Sequence, residues 1–231
     1  MSFIQKGKGK DLVLMHGYLS SKEVFREQIE YFSKFYRVTA FDFLGFGGSM
    51  ALTSAFSVQD YADWTMALLR ALDIEKPRVI AHSFGCRVAV KIASQNEDFF
   101  DKIVLTGPAG VVLNRSIGYY LKVWAYRLTK KIVPKFAEKR FGSVEYRSLS
   151  PIMKESYKKI VNEDLRACAK EIKNEVLLVE GKGDKVTPLK EVNEYLVCLQ
   201  RGRLIITDGG HFTFLEYPTA FNLIVEEFFY G

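Results

Sequence analysis

Apolar and polar positions follow two different rhythms along this chain. Short β-branched runs occur at 11–15 (DLVLM), 37–41 (RVTAF), 78–82 (RVIAH), 102–106 (KIVLT), 175–180 (EVLLVE) and 203–208 (RLIITD). Between them, apolar residues recur at three- and four-residue spacing near 22–34, 57–73, 84–96, 188–199 and 216–229. Continuous apolar runs of this length suit strands covered on both faces, and the longer periodic stretches suit the helices that cover them. Strand and helix in regular alternation predict right-handed crossovers and a mainly parallel sheet. One interval breaks the rhythm. About seventy residues separate KIVLT from EVLLVE, too many for a single crossover. Their helical periodicity predicts a helical lid over residues 108–170, set above the C-terminal edge of the sheet. Residues 1–107 and 171–231 remain as the α/β core.

Composition narrows the class without changing this picture. The chain has 231 residues, 48% hydrophobic and 26% charged, enough to bury the core of one large α/β domain. No uncharged apolar run reaches the length of a membrane span, and the N-terminus MSFIQKGKGKDLV has no apolar core of signal-peptide length. Cys86, Cys168 and Cys198 are widely spaced and odd in number, without metal-type pairing. A reduced, cytoplasmic chain with no metal and no organic cofactor is the expectation.

Candidate chemistry starts at residues 78–90, RVIAHSFGCRVAV. Ser83 lies between a strand and the start of a helix, which is the context a nucleophile elbow requires. The strand and helix backbones nearly touch at such a turn, so small residues are needed two positions before and two after the serine. Ala81 and Gly85 fill those positions. A serine opening a helix can equally be an N-cap, and the pentapeptide leaves both readings open.

A serine nucleophile needs a base for its proton and an acid to orient the base. His211, in TDGGHFTFLEYP, follows the last predicted strand and two glycines. Asp184, in EGKGDKVTP, follows the preceding strand, where Gly181 and Gly183 let the chain turn. Ser83, Asp184 and His211 therefore all fall at C-terminal ends of parallel strands, where the topology brings them together. A loop histidine or a helix-start carboxylate explains either residue singly. The three in this order and context are better explained as a catalytic set.

On these residues the chain resembles the α/β-hydrolase-fold serine hydrolases, as a small, capped, esterase-like member, from about residue 11 to the C-terminus. In that fold the lid is inserted after the sixth strand position. His16-Gly17-Tyr18-Leu19 follows the first parallel strand, where the family keeps its HG loop. Residues 42–49 (DFLGFGGS) resemble the family's D-x-P-G-x-G-x-S turn, with Leu44 in place of proline. The resemblance implies two-step acyl transfer to water, with Ser83 as nucleophile, His211 as base and Asp184 orienting it. It also implies that the backbone N–H groups of Tyr18 and Phe84 form an oxyanion hole, and that His16 and His82 are structural or wall residues. A small-molecule carboxylic ester is the expected substrate.

The lid carries a charge the rest lacks. Residues 108–170 hold 14 Lys+Arg against 5 Asp+Glu, a net of +9, while the whole chain is +6 (33 minus 27) and the remainder −3 (19 minus 22). Ile117, Tyr120, Leu121, Trp124 and Leu128 recur at helical spacing among these cations. An amphipathic lid helix is the first reading, with Tyr120 and Trp124 as candidate pocket walls. The charge also suits an acidic carrier protein or an anionic surface, as in the pimeloyl-carrier methyl ester esterases that the chain resembles in size and triad order. Nucleic acid is a poorer explanation of the same charge, and no such partner is expected, for want of a recognised binding motif. Two further alternatives remain at this stage. Thr106-Gly107-Pro108-Ala109-Gly110 resembles the GPAG-like stretch of meta-cleavage C–C bond hydrolases, although Cys86 replaces their usual second glycine. The fold also hosts binding members that have lost catalysis.

Overall fold

The computed structural model describes residues 1–113 and 149–231. Its frame is a seven-stranded sheet: β1 (Phe3–Lys6), β2 (Asp11–Met15), β3 (Arg37–Phe41), β4 (Arg78–His82), β5 (Lys102–Thr106), β6 (Glu175–Gly181) and β7 (Gly202–Thr207). Their order across the sheet is β1-β3-β2-β4-β5-β6-β7. All neighbours pair in parallel except β1, which runs antiparallel to β3 at the edge with Phe3 opposite Phe41. The six runs read from the sequence are the six parallel strands. β1 was not anticipated, because its four residues FIQK are largely exposed and carry no alternation that marks a strand.

Strand alternation feeds two cores. Val13, Met15, Val79, Ala81, Ile103, Leu105, Val176 and Leu178 point into one cluster. Their neighbours Leu12, Leu14, Val38, Ala40, Ile80, Val104, Leu177 and Val179 point into the other. The first face is covered by α2 (Val58–Ala71), α3 (Phe84–Gln95) and, further along the chain, α6 (Leu189–Cys198). The opposite face is covered by the 3-10 turn Lys22–Phe25, α1 (Arg26–Phe32) and α8 (Pro218–Tyr230), with the short α7 (Thr213–Glu216) beside it. Both faces buried explains why these strands are uninterrupted apolar runs.

Two more helices, α4 (Pro151–Val161) and α5 (Arg166–Glu171), lie within the range expected for the lid. Their Met153, Ile160 and Ala169 belong to the same buried cluster as the first sheet face, together with Leu165 between them, Val111 and Leu149. Ser150 caps α4 by accepting from the Met153 amide, with Pro151 in the first turn. Tyr120, Trp124 and most of the basic stretch lie outside the described residues.

Turns at the C-terminal edge shape the site. Asp42 is fully buried after β3, and its carboxylate accepts from the Lys22 amide (2.7 Å), Lys22 Nζ (2.9 Å) and the Gly48 amide (2.8 Å). A Cβ on Gly47 would lie 2.4 Å from the Asp42 carboxyl carbon, so this turn closes around the carboxylate. His16 is equally buried. It donates from Nδ1 to the Gly17 carbonyl at 2.7 Å and accepts from the Phe43 amide at Nε2. Burial lowers its pKa to about 4, so it is a neutral, structural imidazole.

Candidate active site

β4 ends at His82, and the chain reverses into α3 at Ser83 with φ 50° and ψ −107°. A non-glycine residue in this region costs on the order of 1–3 kcal/mol and persists where the surroundings over-determine it. Here they do. The Ser83 amide donates to the Thr106 carbonyl, and the Cys86 amide donates to the Ser83 carbonyl. A Cβ on Gly85 would stand 2.3 Å from the Met15 carbonyl oxygen, so the start of α3 lies directly on β2. The Ser83 side chain makes no capping hydrogen bond to its helix, which removes the N-cap explanation for its hydroxyl. Among the described residues, Ser83 Oγ and His211 Nε2 make no hydrogen bond. Both residues instead line one cavity of about 540 Å³.

Asp184 is held by its own turn after β6. Oδ1 accepts from the amides of Val186 (2.6 Å) and Thr187 (3.0 Å), and Oδ2 accepts from Thr187 Oγ1 at 2.8 Å. This is the local side-chain-to-backbone pattern that aspartate favours in turns. The same Oδ2 accepts from His211 Nδ1 at 2.7 Å. Burial works against the charge of Asp184, but the hydrogen bonds from His211 and Thr187 outweigh it and hold the carboxyl well below the usual range. A carboxylate that accepts from Nδ1–H leaves the lone pair of a neutral imidazole on Nε2.

His211 is held from three sides. Its carbonyl accepts from His82 Nε2 at 2.9 Å, and its ring lies 4.7 Å from that of His82. On the far side the backbone of Gly107, at φ 53°, approaches so closely that a Cβ would lie 2.9 Å from Nδ1. His82 itself is buried, and burial lowers its pKa to about 3, so it acts as a neutral prop on the cavity wall.

Tyr18 and Phe84, read as backbone donors, border the cavity with Gly17, Leu19, Ser20 and Ser83. Their rings stack edge-on at 5.6 Å. Tyr120 and Trp124, read as substrate contacts, lie outside the described residues.

Three residues at the site were not singled out from the sequence. Thr187 has a readable signal, three residues after the aspartate in a D-x-x-T turn. Glu180, at the end of β6, is fully buried, and neither carboxyl oxygen has a donor among the described residues. Burial, then the adjacent Asp184 carboxylate, push its pKa up to about 9, so it is a neutral acid beneath the site. Arg87, on α3, lines the cavity while only 7% exposed.

No helix among the described residues is long and apolar enough to cross a membrane. The model of the alpha/beta hydrolase fold family matches residues 11–149. The chain is 33% identical to an (E)-2-((N-methylformamido)methylene)succinate hydrolase of Acinetobacter baylyi over 106 residues. That match covers 46% of this chain but only 40% of the Acinetobacter enzyme, well under two thirds of its length. It is 26% identical to the 2-hydroxymuconate semialdehyde hydrolase of Pseudomonas sp. (strain CF600), across 96% of this chain and 87% of that one. The solved meta-cleavage product hydrolase of Pseudomonas fluorescens IP01 is similar at a TM-score of 0.76 and 25% identity, covering 98% of this chain and 93% of its own. With its sheet order, its strand-to-helix serine and this family match, the chain belongs to the α/β-hydrolase fold family.

Proposed function

We propose that this chain is a serine hydrolase that cleaves a carboxylic ester through an acyl-enzyme on Ser83. The observation that carries the reading is the pairing of a serine at φ 50°, free of any capping duty, with an Asp184-held imidazole on the wall of one cavity. In the first step His211 Nε2 takes the Ser83 proton as Oγ bonds to the carbonyl carbon. The amides of Tyr18 and Phe84 then hold the oxyanion. The tetrahedral intermediate collapses, the ester C–O bond breaks, and the leaving alkoxide takes the proton from His211. Water adds by the same route in reverse, returning the acid and free Ser83. Asp184 keeps the proton on Nδ1 and stabilises the imidazolium.

Hydrolysis of p-nitrophenyl esters from acetate to decanoate, wild type beside Ser83→Ala, tests this. Chain-length-dependent turnover that disappears in the variant is the expected result. Equal rates in the two, or no turnover and no labelling by a fluorophosphonate, would sink it in favour of a non-catalytic member of the fold.

A second reading is favoured by the similarity to 2-hydroxymuconate semialdehyde and meta-cleavage product hydrolases. In it the bond cleaved is C–C, next to a ketone of a 2-hydroxy-6-keto-dienoate. Turnover of such a dienoate with none of simple esters would put this reading first. The net +9 of residues 108–170 supports delivery of an ester on an acidic carrier protein. That variant fails if reversing the charges has no effect on carrier-bound turnover.

A further inference from the structure

Arg87 lies on α3 four residues after Ser83, hence one helical turn further along the same face. Its guanidinium is used on one side only. Nη1 donates to the carbonyls of Ile160, in the last turn of α4, and Glu163, just beyond that helix, each at 2.8 Å. Those acceptors sit at the negative end of a helix, which accounts for one nitrogen of the fork. No carboxylate among the described residues pairs with the other side. The Glu163 carboxylate is spent on Lys91 at 2.6 Å, and that of Asp164 on Arg166 at 2.7 Å.

A guanidinium has five donors, and the bidentate edge from Nε to Nη2 fits a carboxylate. Nε and Nη2 of Arg87 make no hydrogen bond among the described residues, yet neither is one of the sealed, unpartnered polar atoms of the core. Arg87 lines the cavity that holds Ser83 and His211. The acids whose fields reach it, Glu163 and Glu191, only partly offset the cost of burial to its charge. Capping α4 needs two donors, which a lysine or a glutamine could supply. It does not explain an arginine with its free edge on a cavity.

We propose that Arg87 is a specificity residue that binds a free carboxylate of the substrate through its Nε–Nη2 edge, so that the favoured substrates are monoesters of short dicarboxylic acids. Four residues of helix rise roughly 6 Å, the scale of a short diacid between the Ser83 hydroxyl and the guanidinium. The inference rests on the serine-hydrolase reading for its chemistry, but binding of the carboxylate does not.

The test compares monoethyl glutarate with ethyl pentanoate, which differ mainly in the terminal carboxylate, by acid release in a pH-stat. Wild type, Arg87→Gln and Arg87→Lys are measured, each checked for an intact thermal transition. Wild type is expected to favour the hemiester by about tenfold or more in kcat/KM, the scale of a charge-assisted bidentate contact. In Arg87→Gln that preference collapses through KM, and Arg87→Lys recovers part of it. No preference in the wild type, or an equal loss for both esters in Arg87→Gln, would overturn the proposal and leave Arg87 as a helix anchor. If neither ester is hydrolysed, the serine-hydrolase reading fails separately. Calorimetric binding of glutarate against pentanoate to the Ser83→Ala protein, with and without Arg87→Gln, then decides the carboxylate site. Binding of glutarate that needs Arg87 supports it, and binding indifferent to either change refutes it.

Discussion

The imidazole of His211 packs directly onto the backbone of Gly107, where a Cβ would lie 2.9 Å from Nδ1 and 3.0 Å from Cε1. Gly107 also adopts φ 53°, and its amide donates to the Val179 carbonyl on β6. The end of β5 therefore acts as a flat stop that sets where the ring can stand while Asp184 holds Nδ1. Backbone at this point cannot retreat, because it is tied to the neighbouring strand.

Gly107→Ala is accordingly expected to displace His211. A shift of about 1 Å in a catalytic group costs on the order of a hundredfold in rate. The loss should fall on kcat more than on KM, since the side of the cavity lined by Arg87 is untouched. The positive φ adds about 1 kcal/mol of instability for a residue with a Cβ. Steady-state kinetics on a p-nitrophenyl ester, with a melting curve, checks both. Unchanged kcat would mean the ring has another resting place.

Ser83 gives two opposed expectations. Ser83→Ala removes the proposed nucleophile, and turnover should drop on the order of a millionfold with loss of fluorophosphonate labelling. Ser83→Gly removes the same hydroxyl and also the Cβ that makes φ 50° unfavourable. It should therefore melt higher than Ser83→Ala, by about 1 kcal/mol or somewhat more in stability. Equal melting temperatures would show that the elbow carries no strain.

Much of this was legible in the sequence, and the misses have physical causes. Continuous runs such as DLVLM and RVIAH declare strands buried on both faces, and β2 and β4 are so buried. Phe3–Lys6 is an edge strand that pairs on one side and packs little, so it leaves no periodic trace. The placement of Ser83, Asp184 and His211 beyond strand ends was readable, because each follows an apolar run in a turn with small residues. Glu180 and Arg87 were not, nor was the contact of Gly107 with His211, because their significance depends on neighbours distant in the chain. Arg87 meets Ile160 across 73 residues, and Gly107 meets His211 across the sheet edge. Within CRVAV or LLVE a charged residue on a buried face carries no local sign of what it faces.

Thr187 is expected to act through Asp184. Its hydroxyl donates to Oδ2, the oxygen that also accepts from His211, and its amide donates to Oδ1. Thr187→Val keeps the shape and the amide but removes the hydroxyl donor. One hydrogen bond to a charged group is worth about 1.5–3 kcal/mol, so kcat should drop roughly tenfold or more. Thr187→Ser should restore most of it. A Val variant as fast as wild type would leave the hydroxyl with a packing role only.

Glu180 gives a dependence of stability on pH that can be isolated. An ordinary glutamate titrates near 4.3, whereas burial and the Asp184 carboxylate push Glu180 up to about 9. Between those values the unfolded chain has lost this proton and the folded chain keeps it, so folding takes up a proton. Stability from this group therefore falls as pH rises from about 4.3 to 9, by at most about 1.4 kcal/mol per pH unit, and is level beyond. Asp184 runs the other way: its contribution is complete above the ordinary aspartate range and is lost only in strong acid, below the working window. Glu180→Gln is a neutral isostere that cannot titrate. The melting temperature of Glu180→Gln minus that of wild type should climb steadily from pH 5 to pH 9, because only the wild type loses stability through this group. A difference that stays constant across that window would mean that Glu180 is already ionised in the folded protein, with a cation or solvent reaching both oxygens.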